Sequence, residues 1–437
     1  MKKLFITLLI STTLYADEVD DILRTLYNQE KTIKEEKKED LFSIAKAKVE
    51  KDKLEELFNN VLNFYADGMY NLAIEKSKEY LSKSAKNDYK RDYIYIILAK
   101  SYYKMSDTEN MFNLVKNLDN ISIDAQYKVI QIASLLFTEY KEEEKNNYLL
   151  SLIKKNKNYK LYSTKFSYIN YKGVDFPLNR NAFEIKPNQK IIGNIYLYVV
   201  EKDQTLFELS RELDLGYYEM KYANMDIDPF DLRKGQIVIV PFRKILPVDS
   251  YKYETIYINL VEKRLYFPVL VNNQSYIITF PIGIGTDEAQ SPIGTFKISE
   301  KRKDPVWYVP ESIKKEKPEL PDVFPPGEDN PLGTRAMRLG NTTFLMHGTN
   351  KDFGIGMRVS HGCIRMYNPD VEKLFEVVNI GTEVNSFEKS IKEATENGKK
   401  YIEIDEEITS FPSYLPVLYQ KLFKINILDK GYAVEIK

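Results

Sequence analysis

Reactive side chains are scarce in this chain of 437 residues, which contains one cysteine, two histidines and one tryptophan. A single cysteine cannot form a disulfide within the chain. The sequence has no H-E-x-x-H or C-x-x-C pattern, the short spacings that hold zinc in many proteins. The 43% of hydrophobic residues supplies enough material for packed cores, and the length predicts two to four domains.

An excess of charge of one sign is also absent, because the net charge is −1. This balance gives no indication of binding to nucleic acid or to an anionic membrane surface. The 29% of charged residues is ordinary for a soluble protein.

Long apolar runs are lacking as well. Residues 1–3 are Met-Lys-Lys, Leu4–Leu14 is largely apolar, and Ala16 offers a small residue for cleavage. This pattern predicts a secretory signal peptide over residues 1–16, with a buried N-terminal helix as the alternative. The apolar run is too short to span a bilayer, and no later stretch approaches the required length, so we expect no membrane span. We therefore expect the mature protein in the periplasm.

The cysteine and both histidines lie together in residues 343–366, and each histidine is followed by a glycine. Cys363 with His347 or His361 is the combination that makes a cysteine nucleophile, because an imidazole can remove the thiol proton. We interpret this stretch as a candidate active site. One alternative is a buried structural cysteine. The other is a zinc ion held by all three side chains, which the absence of a short ligand spacing disfavours.

The segments His347-Gly348-Thr349 and Ser360–Arg365 resemble the signature of the L,D-transpeptidases, the YkuD-type catalytic domain. The resemblance covers about residues 180–410 and is closest to the LysM-bearing Gram-negative branch, which modifies peptidoglycan or anchors a lipoprotein to it. Further blocks similar to that family are Ile258-Asn259-Leu260, Arg264–Pro268, Pro281-Ile282-Gly283, Ser291–Gly294, Pro325-Pro326-Gly327 and Asp329–Gly333.

The resemblance implies that Cys363 is the nucleophile and that His347 is the base, forming a thiolate–imidazolium pair with it. The third, orienting group is then the backbone carbonyl of Gly348. The backbone N–H groups of Gly362 and Cys363 are candidates for the oxyanion hole.

Three further residues of the motif have less defined roles. Arg365 is a permanent cation that is able to hold a substrate carboxylate, and a structural hydrogen bond to the motif loop is its alternative role. We expect Ser360 and His361 to shape the loop, with His361 as a second candidate base.

The resemblance also implies the substrate, which is the tetrapeptide stem of peptidoglycan. Cys363 attacks the carbonyl of the third residue and expels the terminal D-alanine. An amine then resolves the thioester, giving a cross-link or an anchored protein, without a metal or another cofactor. Two alternatives are an L,D-carboxypeptidase that uses water, and a non-catalytic scaffold that binds the cell wall.

Residues 17–165 have a helical pattern with few prolines and glycines. Turns at Gly68 and Met105 are offset by 105 − 68 = 37 residues, which resembles the period of tetratricopeptide-like helical hairpins. An ordinary helical domain is the alternative. Because this region holds no catalytic cluster, we expect it to bind a protein partner.

Residues 166–194 are predicted to be a strand-rich connector. Residues 195–242 then have a β-α-α-β order, with a capping box of Thr205 and Glu208 at the first helix. This order resembles a LysM module, which binds the glycan of peptidoglycan. The usual Gly-Asp of that family is Asp203-Gln204 here, which leaves glycan binding open.

Residues 250–387 contain β-rich runs separated by turn residues, which predicts a mostly-β, sandwich-like catalytic domain. Within them, residues 301–341 have seven prolines and little periodicity. We predict a long loop there that closes over the site or binds substrate. Asn368 is predicted to cap a helix over 369–378. Residues 388–437 form a C-terminal appendage, so the predicted fold class is multidomain α+β.

Overall fold

The computed structural model describes residues 35–405 and 411–437. The predicted signal peptide over residues 1–16 lies outside the described residues. The chain divides into two compact units, residues 1–136 and residues 137–437. Within the described part of the chain, the hydropathy of the helices is too low, or their length too small, for any of them to cross a membrane.

The described part of the first unit is helical. Its elements are α1 (Glu35–Ala66), α2 (Tyr70–Lys83), α3 (Lys90–Lys104), α4 (Thr108–Val115) and the greater part of α5 (Ile123–Glu139). Consecutive helices α1 to α4 pack against one another, and α3 is buried along almost its whole length. The predicted turns are confirmed, because α1 ends just before Gly68 and α3 ends just before Met105. The tetratricopeptide-like identity of these hairpins stays a prediction.

The second unit begins within α5 and continues with α6 (Glu143–Lys155), after which strands dominate. The first strands are β1 (Tyr168–Tyr171), β2 (Val174–Pro177), β3 (Ala182–Glu184) and β4 (Ile191–Ile192). The predicted connector is therefore strand-rich. Its strand β3 does more than connect, because it forms one edge of the main sheet.

Residues 195–242 have the predicted β-α-α-β order. The elements are β5 (Ile195–Val199), α7 (Leu206–Leu213), α8 (Tyr217–Ala223) and β6 (Ile237–Pro241), with β5 and β6 antiparallel. The predicted capping box is confirmed, since Glu208 N donates to Thr205 Oγ1 at 3.2 Å and Thr205 N donates to Glu208 Oε2 at 2.7 Å. We call residues 195–242 the βααβ module.

The remaining elements build the catalytic region and the C-terminal segment. In chain order they are β7 (Lys244–Ile245), β8 (Ile256–Asn259), β9 (Arg264–Val271), β10 (Gln274–Pro281), β11 (Ile284–Gly285), β12 (Gly294–Lys303), β13 (Trp307–Tyr308), α9 (Glu311–Glu316), β14 (Val323–Phe324), β15 (Arg335–Leu339), β16 (Leu345–His347), β17 (Arg358–Ser360), β18 (Ile364–Arg365), α10 (Asn368–Val377), β19 (Glu383–Phe387), β20 (Ile391–Glu396), β21 (Lys399–Ile404), α11 (Val417–Lys424) and β22 (Val434–Ile436).

One curled sheet of nine strands organises the catalytic region, in the order β18-β16-β15-β12-β19-β8-β9-β10-β3. Strand β12 joins its two halves, because the first part of β12 pairs with β19 and the second part pairs with β15. The register shifts between Ile298 and Glu300. Apolar side chains from both halves, such as Phe267 and Met346, belong to one core against which α10 packs. The sheet thus curls over its own apolar face and buries it.

The prediction of a long loop over residues 301–341 was wrong at both ends, where β12 and β15 pair with each other. Only the segment between them crosses the surface, and it carries the two-stranded β13–β14 hairpin and the short helix α9. The prolines had suggested a loop throughout. However, all seven lie between the paired residues Lys303 and Arg335, so none removes a donor from this ladder.

A buried ionic network connects the βααβ module, the sheet and the C-terminal segment, which contributes Glu403 at 3.5 Å from Lys244. Arg264 of β9 holds Glu219 of α8 through two hydrogen bonds of 2.7 and 2.8 Å, and Lys244 lies 2.9 Å from the same carboxylate. Burial raises the pKa of Glu219, but the charges of Arg264 and Lys244 outweigh it and lower that pKa to about 2. Because buried charges are costly when unpaired, this network requires all three parts to be in place together.

Candidate active site

The strand register brings the motif residues onto one face of the sheet. In the antiparallel pair β15–β16, Ala336 lies opposite His347 and Arg338 lies opposite Leu345. In the parallel pair β16–β18, His347 lies beside Arg365. Since successive side chains of a strand point to opposite faces, these residues share one face. The residues between them, Met337, Met346 and Ile364, lie on the other face in the core.

Cys363 lies immediately before β18, two residues from Arg365, and its thiol is partly buried. The backbone N–H of Leu345 donates a hydrogen bond to Cys363 Sγ at 3.4 Å. Ser360 Oγ donates to the carbonyl of Cys363 at 2.5 Å and accepts from Gly362 N at 3.2 Å. The Ser360 hydroxyl therefore closes the loop that presents the thiol.

Gly362 occupies a position that only glycine can fill without strain. Its φ of +97° is a backbone conformation that side chains rarely adopt. A Cβ atom there would lie 2.5 Å from the ring of Phe344. The Gly362 carbonyl accepts a hydrogen bond from Ser291 Oγ at 2.9 Å, which holds the turn from the other side.

His347 is buried, and its Nδ1 lies 2.6 Å from the carbonyl oxygen of Gly348. A carbonyl only accepts hydrogen bonds, so Nδ1 carries the proton in the neutral ring and Nε2 keeps its lone pair. The ring is thus held in the tautomer that a general base requires. This is the position that we expected for the Gly348 carbonyl.

Sequence reasoning missed the role of Asn368. Its side-chain amide donates to Thr349 O at 2.9 Å, and its Oδ1 accepts from Thr349 N at 3.2 Å. A Cβ on Gly348 would lie 2.1 Å from that Oδ1. Asn368 therefore holds the segment after His347, and the prediction that its side chain caps α10 was wrong, since the N-cap residue is Tyr367 without a side-chain bond.

The surroundings of the two candidate reacting groups, Cys363 and His347, favour their neutral forms. Burial, with a further contribution from the Arg365 charge, lowers the pKa of His347 to about 4 against the opposing Gly348 hydrogen bond. Burial also raises the pKa of the Cys363 thiol, although the Leu345 N–H, Arg365 and Arg338 act in the opposite direction. These shifts favour a neutral thiol and imidazole, whereas the expected thiolate–imidazolium pair needs additional stabilisation.

Two hydrogen bonds hold the backbone of Arg365, and its side chain lines a cavity. Its N–H donates to Gly283 O at 2.8 Å, and its carbonyl accepts from Gly283 N at 2.9 Å. Its buried Nε has no hydrogen-bond partner among the described residues. Burial lowers the pKa of the guanidinium, and the neighbouring Cys363 opposes this shift. The guanidinium lines the cavity and is able to bind a carboxylate there.

His361 points to a different neighbour. Its Nε2 lies 3.0 Å from Glu316 Oε2 at the end of α9, and its side chain is exposed. The motif loop and the segment that follows β13 are therefore linked across the site. Trp307 of β13 packs at 5.4 Å from Phe324 and lines the same space.

Strands β15, β16 and β18, the motif loop and the segment between β12 and β15 surround a cavity of about 870 Å³. Its lining includes Cys363, His347, Arg365, Ser360 and His361 of the motif. Aromatic and apolar side chains form one wall, and cations dominate its charged lining, in which Asp329 is the one acidic residue. The cations are Arg302, Lys317, Arg338, Lys351 and Arg365. The cavity can therefore accept a ligand that combines apolar parts with negative charge.

The described residues contain one group of carboxylates that is close enough to hold a metal ion, formed by Glu262, Glu403 and Asp405. The Nζ of Lys392 lies 2.7, 3.1 and 3.2 Å from these three carboxylates in that order. An ammonium group thus supplies the positive charge there. Among the described residues, the two histidines and Cys363 do not converge as a ligand set.

Comparison with known proteins gives the family of this fold. Residues 253–385 match the model of the YkuD L,D-transpeptidase catalytic domain. The probable L,D-transpeptidase YcfS of Escherichia coli K12 is 35% identical over 269 residues, which cover 58% of this chain and 83% of that protein. The probable L,D-transpeptidase YbiS of the same strain is 33% identical over 263 residues, covering 57% and 82%.

A third relative, the probable L,D-transpeptidase ErfK/SrfK of Salmonella typhimurium LT2, is 33% identical over 228 residues, covering 50% of this chain and 72% of that protein. All three matches exceed 30% identity and span more than two thirds of the relative. The cavity with Cys363 and His347 lies inside the region that matches the family model. The chain therefore belongs to the L,D-transpeptidase family.

Proposed function

We propose that this protein is a peptidoglycan L,D-transpeptidase with Cys363 as its nucleophile. One observation carries the proposal: His347, in the tautomer of a general base, and Cys363 share one face of the sheet and one cavity. A general base and a thiol that face one cavity are the groups that cysteine acyl transfer needs. The substrate is the tetrapeptide stem, and the acyl acceptor is an amine.

The first half of the reaction forms a thioester. His347 Nε2 takes the thiol proton while Sγ bonds to the carbonyl carbon of the third stem residue. Because the free site favours neutral groups, this proton moves as the attack proceeds. The negative charge on the carbonyl oxygen needs fixed donors. Gly362 N already donates to Ser360 Oγ, so the N–H of Cys363 is the better candidate.

Collapse of this intermediate breaks the bond to the terminal D-alanine, whose amine takes the proton from His347. In the second half, the acceptor amine attacks the thioester, gives a proton to His347 and restores the thiol. The Arg365 guanidinium, which lines the cavity, holds a carboxylate of the donor stem. The steps use only side-chain and backbone groups of this chain, so we propose that the reaction needs no metal.

Product analysis tests this proposal. Purified protein without residues 1–16 is expected to release D-alanine from a disaccharide-tetrapeptide and to join two muropeptides, as followed by mass spectrometry. Formation of tripeptide alone would identify an L,D-carboxypeptidase. A chelator is expected to leave the rate unchanged. Loss of activity with chelator and recovery with zinc would contradict the cysteine mechanism, because a metal-held thiolate is not a free nucleophile.

We also propose that the βααβ module binds glycan, as a LysM module does. The unusual Asp203-Gln204 pair links the loop between β5 and α7 to the loop between α8 and β6. Asp203 Oδ1 accepts from Lys234 N at 2.8 Å, and Gln204 N donates to Leu232 O at 2.9 Å. Beside these loops, the ring of Phe230 is 70% exposed and lies 6.2 Å from Phe207. An exposed aromatic ring offers a flat apolar face to a sugar ring.

Replacement of Phe230 with alanine is therefore expected to reduce the fraction of protein that pellets with purified sacculi by about threefold or more, since one aromatic contact contributes about 1 kcal/mol. Tyr168→Ala is a matched control, because Tyr168 is 57% exposed on β1, outside the module. Equal pelleting of the Phe230 variant and the wild type would argue against glycan binding at this surface.

The helical region has no part in this chemistry. Its described residues include no histidine or cysteine, and many of its apolar side chains are buried, whereas Ile44, Met69 and Met105 are exposed. We propose that it binds a protein partner and places the enzyme in the periplasm, where its substrate occurs.

A further inference from the structure

A second charged group lies on the same face of the sheet as the proposed nucleophile. Glu300 of β12 is held by two guanidinium groups, with Arg302 Nε at 2.5 Å from Oε1 and Arg338 Nε at 2.9 Å from Oε2. Arg338 also donates from NH1 to Thr342 O at 3.0 Å. These contacts fix the position of the Arg338 charge, and its carboxylate partner is fixed with it.

The register places this pair next to the thiol. Glu300 lies opposite Arg338 in β12–β15, and Arg338 lies opposite Leu345 in β15–β16. The N–H of Leu345 is the group that donates to Cys363 Sγ. The residue between, Lys301, points to the other face, where its Nζ bonds to the carbonyl oxygens of Phe375 and Val378. Arg338 and Cys363 line the same cavity.

We propose that Arg338 stabilises the thiolate of Cys363 and that Glu300 limits this effect, so that the pair sets how much of the thiol is ionised near neutral pH. This deepens the proposed function and rests on it only in taking Cys363 as the nucleophile. A cation beside a thiol favours the anionic form, and a carboxylate bonded to that cation offsets it. Both residues act through Cys363 and need no contact with substrate.

Other charged or titratable groups around Cys363 are His347 and Arg365 on the same face, and Arg302 beside Glu300. The cavity wall adds Lys317, Lys351, Asp329 and His361, whose ring is bonded to Glu316. None of these groups is itself replaced in either variant. Glu300→Gln also removes the partner of Arg302, and the charge of Arg302 then acts on the thiol in the same direction as that of Arg338. The charge of Arg338 also lowers the pKa of the Cys363 thiol, in the direction that the proposal requires. Since Glu300 and Arg338 are partly exposed, neutral replacements of similar size do not leave a buried charge unpaired.

Alkylation by iodoacetamide measures the thiolate directly, because Cys363 is the sole cysteine of the chain. The thiol gives its proton to solvent, Sγ bonds to the methylene carbon, and iodide leaves. Arg338→Gln is expected to slow alkylation about three- to tenfold at pH 7 and to move the rate–pH profile to higher pH. Glu300→Gln is expected to accelerate it by a similar factor and to move the profile to lower pH. Arg338→Lys keeps the charge and should retain most of the wild-type rate.

A second arginine–carboxylate pair, in the βααβ module, provides the controls. There Arg233 Nη2 lies 2.7 Å from Asp231 Oδ2. Arg233→Gln and Asp231→Asn change the net charge by the same amounts and should leave the rate unchanged. Raising the salt concentration should reduce the effects of Arg338→Gln and Glu300→Gln, because salt screens partly exposed charges.

Opposite shifts of the two profiles support the proposal, because a merely structural disturbance would move both variants in the same direction. Shifts of the same sign, or unchanged profiles in both folded variants, would overturn it. Alkylation needs neither donor stem nor acceptor, so a failure of the proposed transpeptidase activity would appear separately, in the muropeptide products.

Discussion

The Cys363→Ala variant is expected to form no covalent adduct with a carbapenem, whereas the wild type gains the mass of one drug molecule. Cys363 Sγ attacks the β-lactam carbonyl as His347 takes the thiol proton, the C–N bond of the ring breaks, and the ring nitrogen takes that proton. No part of the drug leaves, so the added mass equals that of the intact compound. The chain has no other thiol, which makes the assignment unambiguous. Intact-protein mass spectrometry reads the result directly, and turnover of disaccharide-tetrapeptide should disappear with it.

Alanine removes only one sulfur atom from a partly buried position, and the hydrogen bond that Ser360 Oγ donates to the main-chain carbonyl of residue 363 is kept. The variant should therefore unfold at a temperature close to that of the wild type, which a thermal denaturation curve checks. A folded Ala variant that still gains the mass of the drug would show that another side chain is the nucleophile.

The His347→Ala variant is expected to react with the same drug about 10²–10⁴ times more slowly, the usual contribution of a positioned general base. Burial lowers the pKa of His347 to about 4, so the base form is present above that pH. In the wild type, the acylation rate should fall as the pH drops through about 4, because Nε2 becomes protonated. The variant should lack this acidic limb. Stopped-flow acylation rates across the pH range measure both effects.

His361→Ala is the matched comparison, since it removes the second histidine from the same cavity. His361 is exposed and bonded to Glu316, so we expect its loss to slow acylation less than tenfold. A larger loss in the His361 variant than in the His347 variant would transfer the role of base to His361.

The local elements of the βααβ module follow closely from the sequence. Short-range patterns predict the capping box of Thr205 and Glu208 and the β-α-α-β order, and both are present. Such elements are predictable because the groups that stabilise them lie within a few residues of one another. The same holds for the turns at Gly68 and Met105 in the helical region.

Predictions failed where a side chain is used at long range. Asn368 reads locally as a helix cap, yet its amide holds Thr349, nineteen residues earlier in the chain. Residues 301–341 read as one loop, yet both ends pair in the sheet. In each case, hydrogen bonds to residues far along the chain outweigh the local preference for a helix cap or a loop. A short-range sequence pattern cannot predict such bonds.

The sequence by itself determined which reactive side chains are available to the site, because the only cysteine and both histidines lie in one short motif that resembles the family signature. Only the tertiary structure decided their surroundings. Arg338 and Glu300 come from strands that precede the motif, and sheet register alone puts them on the face of Cys363. Likewise, Glu219, Arg264 and Lys392 become neighbours in one buried network only when distant segments assemble. Electrostatic energy depends on the distance between charges and on their burial, and neither quantity can be read from the order of residues in the chain.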